Sequence, residues 1–376
     1  MKVLHIITSL NDGGAEAVLY RMATSKSGSF KHVVISLMGV GKYGLLLEKA
    51  GISVYYLNMS QGRLDIFSSL KIFTLVKKHK PDVVQTWMFH SDLLGGIFSR
   101  LAGVKNVVWG VHHTTLVRGE SKYSTILIAK LNAFLSKFIP NKIIYCAERT
   151  REVQESIGFC RSKGVVVSNG YDVSKFTRND QLGYAFKNEL DISDNFLIGH
   201  VGRYNPQKDH KNLLLALKKV KDKSNEKWYC ILVGSNLDET NSRLTGLVNE
   251  LGLSDNVRLF GCRNDIPAVM NAIDLFVLSS AFGEAFPNVL MESMSRGVVC
   301  ISSDVGDSFS IMSLTGYKIV DPCIPMSIAN AINSAVEDFE SNHSSYQHKS
   351  NSSISRIKSN YRLTDVIEEY NRIWLL

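Results

Sequence analysis

What this sequence lacks narrows it first. Its six cysteines, at positions 146, 160, 230, 262, 300 and 323, are far apart and form no CxxC pair. That pattern suggests neither a zinc site nor a disulfide framework and fits a reducing cytoplasm. Cys146, Cys230 and Cys300 fall in apolar strand-like runs, where cysteine behaves as a small hydrophobe. No apolar run approaches the roughly 18 to 20 residues that span a bilayer, so any membrane contact is expected to be peripheral. The opening "MKVLHIITSL" meets Asn11, Asp12 and Gly13 before an apolar signal core can form, so no secretory signal is expected. There is no acidic DxD cluster and no His/Asp/Cys grouping with ligand spacing, which leaves no metal or cofactor to expect. Repeats of solenoid period are missing as well.

What is present is ordinary in bulk and uneven in distribution. A chain of 376 residues exceeds one hydrophobic core, so two domains are expected. Apolar residues make up 45% and charged ones 21%, as in soluble globular enzymes. Residues 1–180 hold 24 Lys and Arg against 12 Asp and Glu, while the remainder is slightly acidic. A basic first half suits an anionic partner surface, nucleic acid or phospholipid headgroups, or simply a solvated lysine-rich face. Residues 123–138, "YSTILIAKLNAFLSKF", with Lys122, Lys130 and Lys137 on or near an apolar stripe, read either as a docking face for an anionic membrane or as core.

Apolar β-branched runs alternate with helical patterns from the start. "KVLHIITS", "HVVISLM", "SVYYLNM", "DVVQTWM", "NVVWGVHH", "KIIYCAE" and "GVVVSNG" read as strands, with helices over 65–79, 90–102 and 122–138. Such alternation predicts an α/β fold with a parallel, doubly wound sheet. The polar stretch at 171–194 interrupts the rhythm, which restarts with "FLIGHVGR", "WYCILVG", "NVRLFG", "DLFVLSS" and "VVCISS". Two Rossmann-like domains are therefore expected, over 1–175 and 190–355, with a cleft between them as the default site. Residues 339–355 read as loosely structured, and 356–376 as a C-terminal helix able to pack back on the first domain.

Ligands of open α/β sheets bind outside the carboxyl ends of the strands, and the motifs fall there. "TSLNDGGAEAV" turns through two glycines into a helix near Ala15; its backbone N–H groups can hold an anion, or it is a plain strand-to-helix turn. "HVGRYNPQKDHKNLL" offers Arg203 at a strand end and Lys208 before a helix cap at Asp209, two cations able to clamp a diphosphate or incidental surface charges. "FGCRNDIPAVM" presents Arg263, Asn264 and a helix start at Asp265, suited to the edge of a nucleobase or to capping alone. "WGVHHTT" puts His112 and His113 past a strand, where only one can look into the cleft. In "GEAFPNVLMES", Pro287 fits the first position of a helix. Glu284 then lies in the loop before that helix, able to accept from sugar hydroxyls. Glu292 lies a turn or more inside it, too far in to serve the dipole and able to bind both hydroxyls of a ribose.

Together "GGAE", "VGRYNPQKDH", "FGCRNDIPAVMNAIDLFVLSS" and "EAFPNVLME" resemble the family-4 type of retaining glycosyltransferases with the GT-B fold, over essentially the whole chain. Within that family, "VVQTWMFHSDLLGG" with "VWGVHH" looks like the bacterial transferases that build O-antigen and capsule repeat units on a polyprenyl diphosphate lipid. The resemblance implies a UDP-sugar donor, a polyprenyl-diphosphate-linked saccharide acceptor, an anionic membrane surface as partner and no nucleic acid. It places the protein at the inner face of the plasma membrane. It makes Arg203 and Lys208 the ligands of the donor diphosphate, Glu284 that of the sugar, and Glu292 that of the ribose, with Asn288 also in the substrate site. Gly14 would lie against the donor phosphate or near the acceptor, His112 would line the reaction centre, and Arg263 and Asn264 would flank the base. Ala285 stands where the family usually has glycine. The implied reaction is metal-free front-face transfer with retention. A nucleotide-sugar epimerase and a non-catalytic UDP-sugar-binding subunit of the same fold are the alternatives.

Overall fold

The computed structural model describes residues 1–25, 30–60, 66–114, 123–172, 177–192, 195–223 and 228–376. They form two compact units, Met1–Gly170 with Leu363–Leu376, and Tyr171–Arg362.

In the first unit the strands are β1 (Lys2–Ile7), β2 (Lys31–Ser36), β3 (Ser53–Tyr56), β4 (Val83–Trp87), β5 (Asn106–Val111), β6 (Lys142–Tyr145) and β7 (Gly164–Val166). All pair in parallel, in the order β3-β2-β1-β4-β5-β6-β7. The crossovers include α1 (Gly14–Ala23), α2 (Gly41–Lys49), α3 (Ile66–His79), α4 (Phe89–Leu101), α5 (Tyr123–Leu135) and α6 (Glu148–Ser156). Because successive strand residues face opposite ways, Leu4 and Ile6 enter one core while Val3 and Ile7 enter another on the other face.

The second unit holds α7 (Asp180–Glu189), β8 (Phe196–Val201), α8 (His210–Lys223), β9 (Trp228–Val233), α9 (Ser242–Glu250), β10 (Val257–Gly261), α10 (Ile266–Ala272) and β11 (Leu275–Leu278). It continues through α11 (Asn288–Ser295), β12 (Val299–Ser303), α12 (Ser308–Met312), β13 (Lys318–Val320), α13 (Pro325–Ser341) and α14 (His343–Asn360). Its parallel sheet runs β10-β9-β8-β11-β12-β13. In both sheets strand order reverses at one place, between β1 and β4 and between β8 and β11. A doubly wound sheet opens a crevice at such a point.

One expectation is corrected. Residues 339–355, which read as loosely structured, lie in α13 and α14 apart from Asn342, whose side chain accepts from Ser345 N at the start of α14. Two of the serines that suggested a loop lie on a packed face: Ser350 and Ser353 are buried with Tyr346 and Ile357 at helical spacing. A Cβ on Gly297 would collide with Ser350 Oγ, so the approach there is close enough to need a small residue on each side.

The last helix, α15 (Leu363–Leu375), belongs to the first unit. Val366, Ile367, Tyr370, Ile373 and Trp374 join the core formed by Val3, Ile7 and Trp87. Trp374 Nε1 donates to Gln85 Oε1 at 3.1 Å, and Trp87 Nε1 donates to His5 Nδ1 at 3.2 Å. Replacing a fully buried tryptophan with alanine costs about 3–5 kcal/mol. Trp374→Ala is therefore expected to lower the melting temperature of the first unit by several degrees in calorimetry while leaving a transition for the second; an unchanged scan would contradict this packing.

Candidate functional site

The second unit's switch point is built from two loops laced together. After β8 the chain passes under Gly234 (φ +147), where a Cβ would collide with Gly202 O. Asn205 Oδ1 accepts from Lys208 N at 3.0 Å and closes a short turn over Pro206–Lys208. Asp209 sits in the left-handed region (φ +47), and its carboxylate accepts from Asn212 N at 3.2 Å, so α8 starts at His210. The loop after β11 docks on this turn. Ser279 Oγ donates to Lys208 O, and Ala281 N donates to Gln207 O, each at 2.8 Å.

The lacing delivers Lys208 Nζ to Glu284 Oε1 at 2.6 Å, with Ser280 Oγ donating to the same oxygen at 2.8 Å. Only 15% of the Lys208 side chain and 10% of the Glu284 side chain are exposed. Glu284 is held from behind as well: Asp307 N donates to Ala285 O at 3.1 Å, and Gly306 (φ +56) leaves no room for a Cβ beside the Glu284 carbonyl. Ala285 itself is not among the left-handed residues, so alanine fits this loop without strain. Arg203, by contrast, is exposed and makes no ion pair among the described residues.

Glu292 is half-buried on α11 and accepts from Tyr171 Oη, while its main-chain oxygen accepts from Arg296 Nη1 at 3.0 Å. Pro287 is the cap of α11 rather than its first residue, and Asn288 begins the helix. A proline contributes no N–H at either position. Tyr171 is fully buried and is not legible as a site residue in the sequence, since it lies 121 residues from its partner at the start of the polar stretch 171–194.

Arg263 is not paired with these groups among the described residues. Its guanidinium donates to both oxygens of Asp265, at 2.7 and 2.6 Å, and lies over the rings of Phe186 and Phe260. Asp265 precedes α10 without a side-chain cap bond, since Arg263 takes its carboxylate instead. Asn264 is exposed beside it, past the edge strand β10.

In the first unit the glycine turn is built around a carboxylate of the chain itself. Glu16 is buried at the third position of α1, accepts from Ser9 Oγ at 2.8 Å, and occupies the space a Cβ on Gly13 would need. Gly14 is the exposed first residue of that helix. Glu16 follows the N-cap glycine, Gly13, by three residues, and α1 has no side-chain cap bond. Met88 (φ +73, ψ +155) caps α4 in a conformation costly for a side chain, held by Met88 N donating to Gly110 O at 2.8 Å. His112 stacks on Trp87 at 5.1 Å, and burial pushes its pKa down to about 4. His113 meets Phe89 edge-on.

Two further histidines lie buried behind Lys208, with ring centroids 4.6 Å apart. Burial above all, then Lys208, depresses His200 to about 4; burial, then His200 and Lys208, depresses His210 to about 2. His200 Nδ1 is 2.9 Å from Val277 O and donates to it in the neutral form. Since these folded values lie below the unfolded value near 6.5, the unfolded chain takes up protons first on acidification. Their stabilising neutrality is present above about pH 6.5 and is lost as pH falls toward 4. The melting temperature should decline across that window and be insensitive to these groups above it; a flat profile from pH 6.5 to 4 would refute their burial as neutral rings.

Comparison with known proteins places residues 12–175 in Glycosyltransferase Family 4 and residues 184–350 in Glycosyl transferases group 1. The chain is 28% identical, over 64% of its length and 62% of the relative's, to an Escherichia coli UDP-Gal:alpha-D-GlcNAc-diphosphoundecaprenol alpha-1,3-galactosyltransferase. It is 27% identical, over 83% of both chains, to the Staphylococcus aureus capsular polysaccharide biosynthesis glycosyltransferase CapH. The Anabaena protein HepE, crystallised with UDP-glucose, superposes with a TM-score of 0.85 over 99% of this chain and 98% of its own, at 22% identity, which is a likeness of fold.

Proposed function

The chain belongs to the GT-B glycosyltransferases, and from that premise we propose that it transfers a hexose or N-acetylhexosamine from a UDP-sugar, with retention, to a polyprenyl-diphosphate-linked saccharide in O-antigen or capsule synthesis. The observation that carries this reading is the Lys208–Glu284 pair at the β8/β11 switch point, a buried cation and carboxylate where nucleotide ligands of such sheets bind. Residues 190–355 hold the donor and residues 1–175 the acceptor. Lys208 and Arg203 meet the diphosphate, Glu284 the sugar hydroxyls, and Glu292 the ribose, with Asn288, Arg263 and Asn264 nearer the nucleoside. His112 lines the reaction centre, and Gly14 lies against the donor phosphate or near the acceptor.

In the reaction the acceptor hydroxyl attacks the anomeric carbon on the face the diphosphate leaves. The new C–O bond forms as the bond to phosphate breaks, and the hydroxyl proton passes to the departing phosphate oxygen. Negative charge grows on the diphosphate, so fixed cations aimed at it stabilise the transition state more than the bound donor. Arg203 and Lys208 supply that charge, and transfer proceeds in excess chelator.

Lys208 is largely buried, and its removal would leave the Glu284 carboxylate without its counter-charge, at a cost of about 3–5 kcal/mol. Arg203 is the cleaner probe. With a panel of UDP-sugars, short polyprenyl-diphosphate acceptors and chelator, one donor should give an acceptor product of unchanged anomeric configuration. Arg203→Ala should keep its melting temperature and lose about a hundredfold in turnover at saturating donor. Wild-type turnover in that variant, or free epimerised sugar with no acceptor product, would defeat the reading.

A lipid-linked acceptor requires a protein that docks on the bilayer, here at the inner face of the bacterial plasma membrane. Among the described residues no helix is long and apolar enough to cross one. The stripe on α5 and just beyond it is not core: Tyr123, Leu127, Leu131, Phe134 and Phe138 are all exposed, Tyr123 and Phe138 by 72% and 67%. Lys130 and Lys137 are exposed beside it, and Lys122 lies outside the described residues. Insertion of those rings with basic residues near headgroups accounts for peripheral binding. Cosedimentation with anionic vesicles should weaken with salt and be abolished by Leu127→Asp with Phe134→Asp; equal binding to neutral vesicles would rule out the electrostatic part.

A further inference from the structure

The second unit has a cavity of about 440 Å³ at the opposite ends of its strands from Lys208 and Glu284. Asn195, Asp274 and Val298 line it, and each immediately precedes a strand, so it opens at the amino ends of β8, β11 and β12. None of the residues assigned above to donor or acceptor lines it. Its size falls in the lower part of the range of small-molecule sites, about 300–1,000 Å³.

The walls have a definite chemistry. Lys187 Nζ contacts Asp274 Oδ2 at 2.6 Å, with both side chains largely buried, and Leu197 N donates to the same carboxylate at 2.8 Å. At the rim Arg178 pairs with Asp180 at 2.6 Å and remains about half exposed. Arg296 is only 2% exposed yet reaches the cavity wall. Counting His343 as neutral, the lining carries three cations against two carboxylates, one net positive charge. Tyr184, 65% exposed, also lines the cavity. A net cationic cavity with guanidinium groups and an open aromatic ring suits a molecule with a phosphate at one end and a sugar ring at the other, since guanidinium forks match phosphate oxygens.

We propose that this cavity is a second small-molecule site, which takes a hexose phosphate with its phosphate toward Arg178 and Arg296 and its ring against Tyr184. The site is separate from the donor site, so donor and hexose phosphate are held at once.

The test is calorimetric titration of a hexose 1-phosphate into the full chain saturated with UDP. Saturable one-to-one binding is expected, with affinity at least tenfold weaker in Arg178→Glu and in Tyr184→Ala, both exposed positions whose variants should fold. The unphosphorylated hexose should bind at least tenfold more weakly than its phosphate. Binding that disappears when UDP is present would mean the sugar phosphate enters the donor site, and the proposal would fall. Affinity unchanged in both variants, or no saturable binding, would overturn it equally. If UDP itself fails to bind, the donor assignment fails instead; the titration without UDP, compared between wild type, Arg178→Glu and Arg203→Ala, then still decides the cavity.

Discussion

The candidate donor site depends on one buried ion pair. Lys208 and Glu284 come from loops 76 residues apart, after neighbouring strands, and their contact at 2.6 Å joins the two sides of the switch point. Burying two opposite charges gains little net stability, because desolvation offsets most of the attraction. The arrangement is instead a demand on the backbone. Asn205 and Asp209 shape the first loop, Ser280 steadies Glu284 within the second, Ser279 and Ala281 bind the two together, and Gly234 and Gly306 are required where the main chain comes closest. A site that must present charge to a ligand without rearranging needs this kind of support.

Neutral groups complete the setting. His200 and His210 fill the space behind Lys208 as uncharged rings, and the lysine's own charge helps keep them so. A charged residue there would add repulsion behind the ammonium. In the first unit, the carboxyl of Asp92 is pushed well up by burial and accepts from Thr86 Oγ1 at 2.6 Å beside the strained turn at Met88. Both units thus place perturbed titratable groups at their switch points, as functional sites commonly do.

The fold was legible because its signals are local. Apolar β-branched runs alternate with helical periods, and each strand buried on both faces shows it in four to six consecutive residues. Positions next to strand ends, such as Lys208 and Glu284, could be picked for the same reason. What could not be read were bonds across long separations. Nothing near Tyr171 announces that it donates to Glu292, 121 residues away. Serine content misled over α14 because a small residue suits a tight helix contact as well as a loop. Glu16 could not be read either, since its partner Ser9 lies on the far side of the glycine turn, seven residues back.

The placement of α15 has a consequence for the order of assembly. The core that includes Val3, Ile7 and Trp87 is closed by Tyr370 and Trp374, residues made after all of Tyr171–Arg362. During synthesis, which runs at about 5–20 residues per second, the second unit therefore has its full complement of residues while the first still lacks a wall. Until then the apolar residues around Trp87 and Val3 lack the cover that Tyr370 and Trp374 supply.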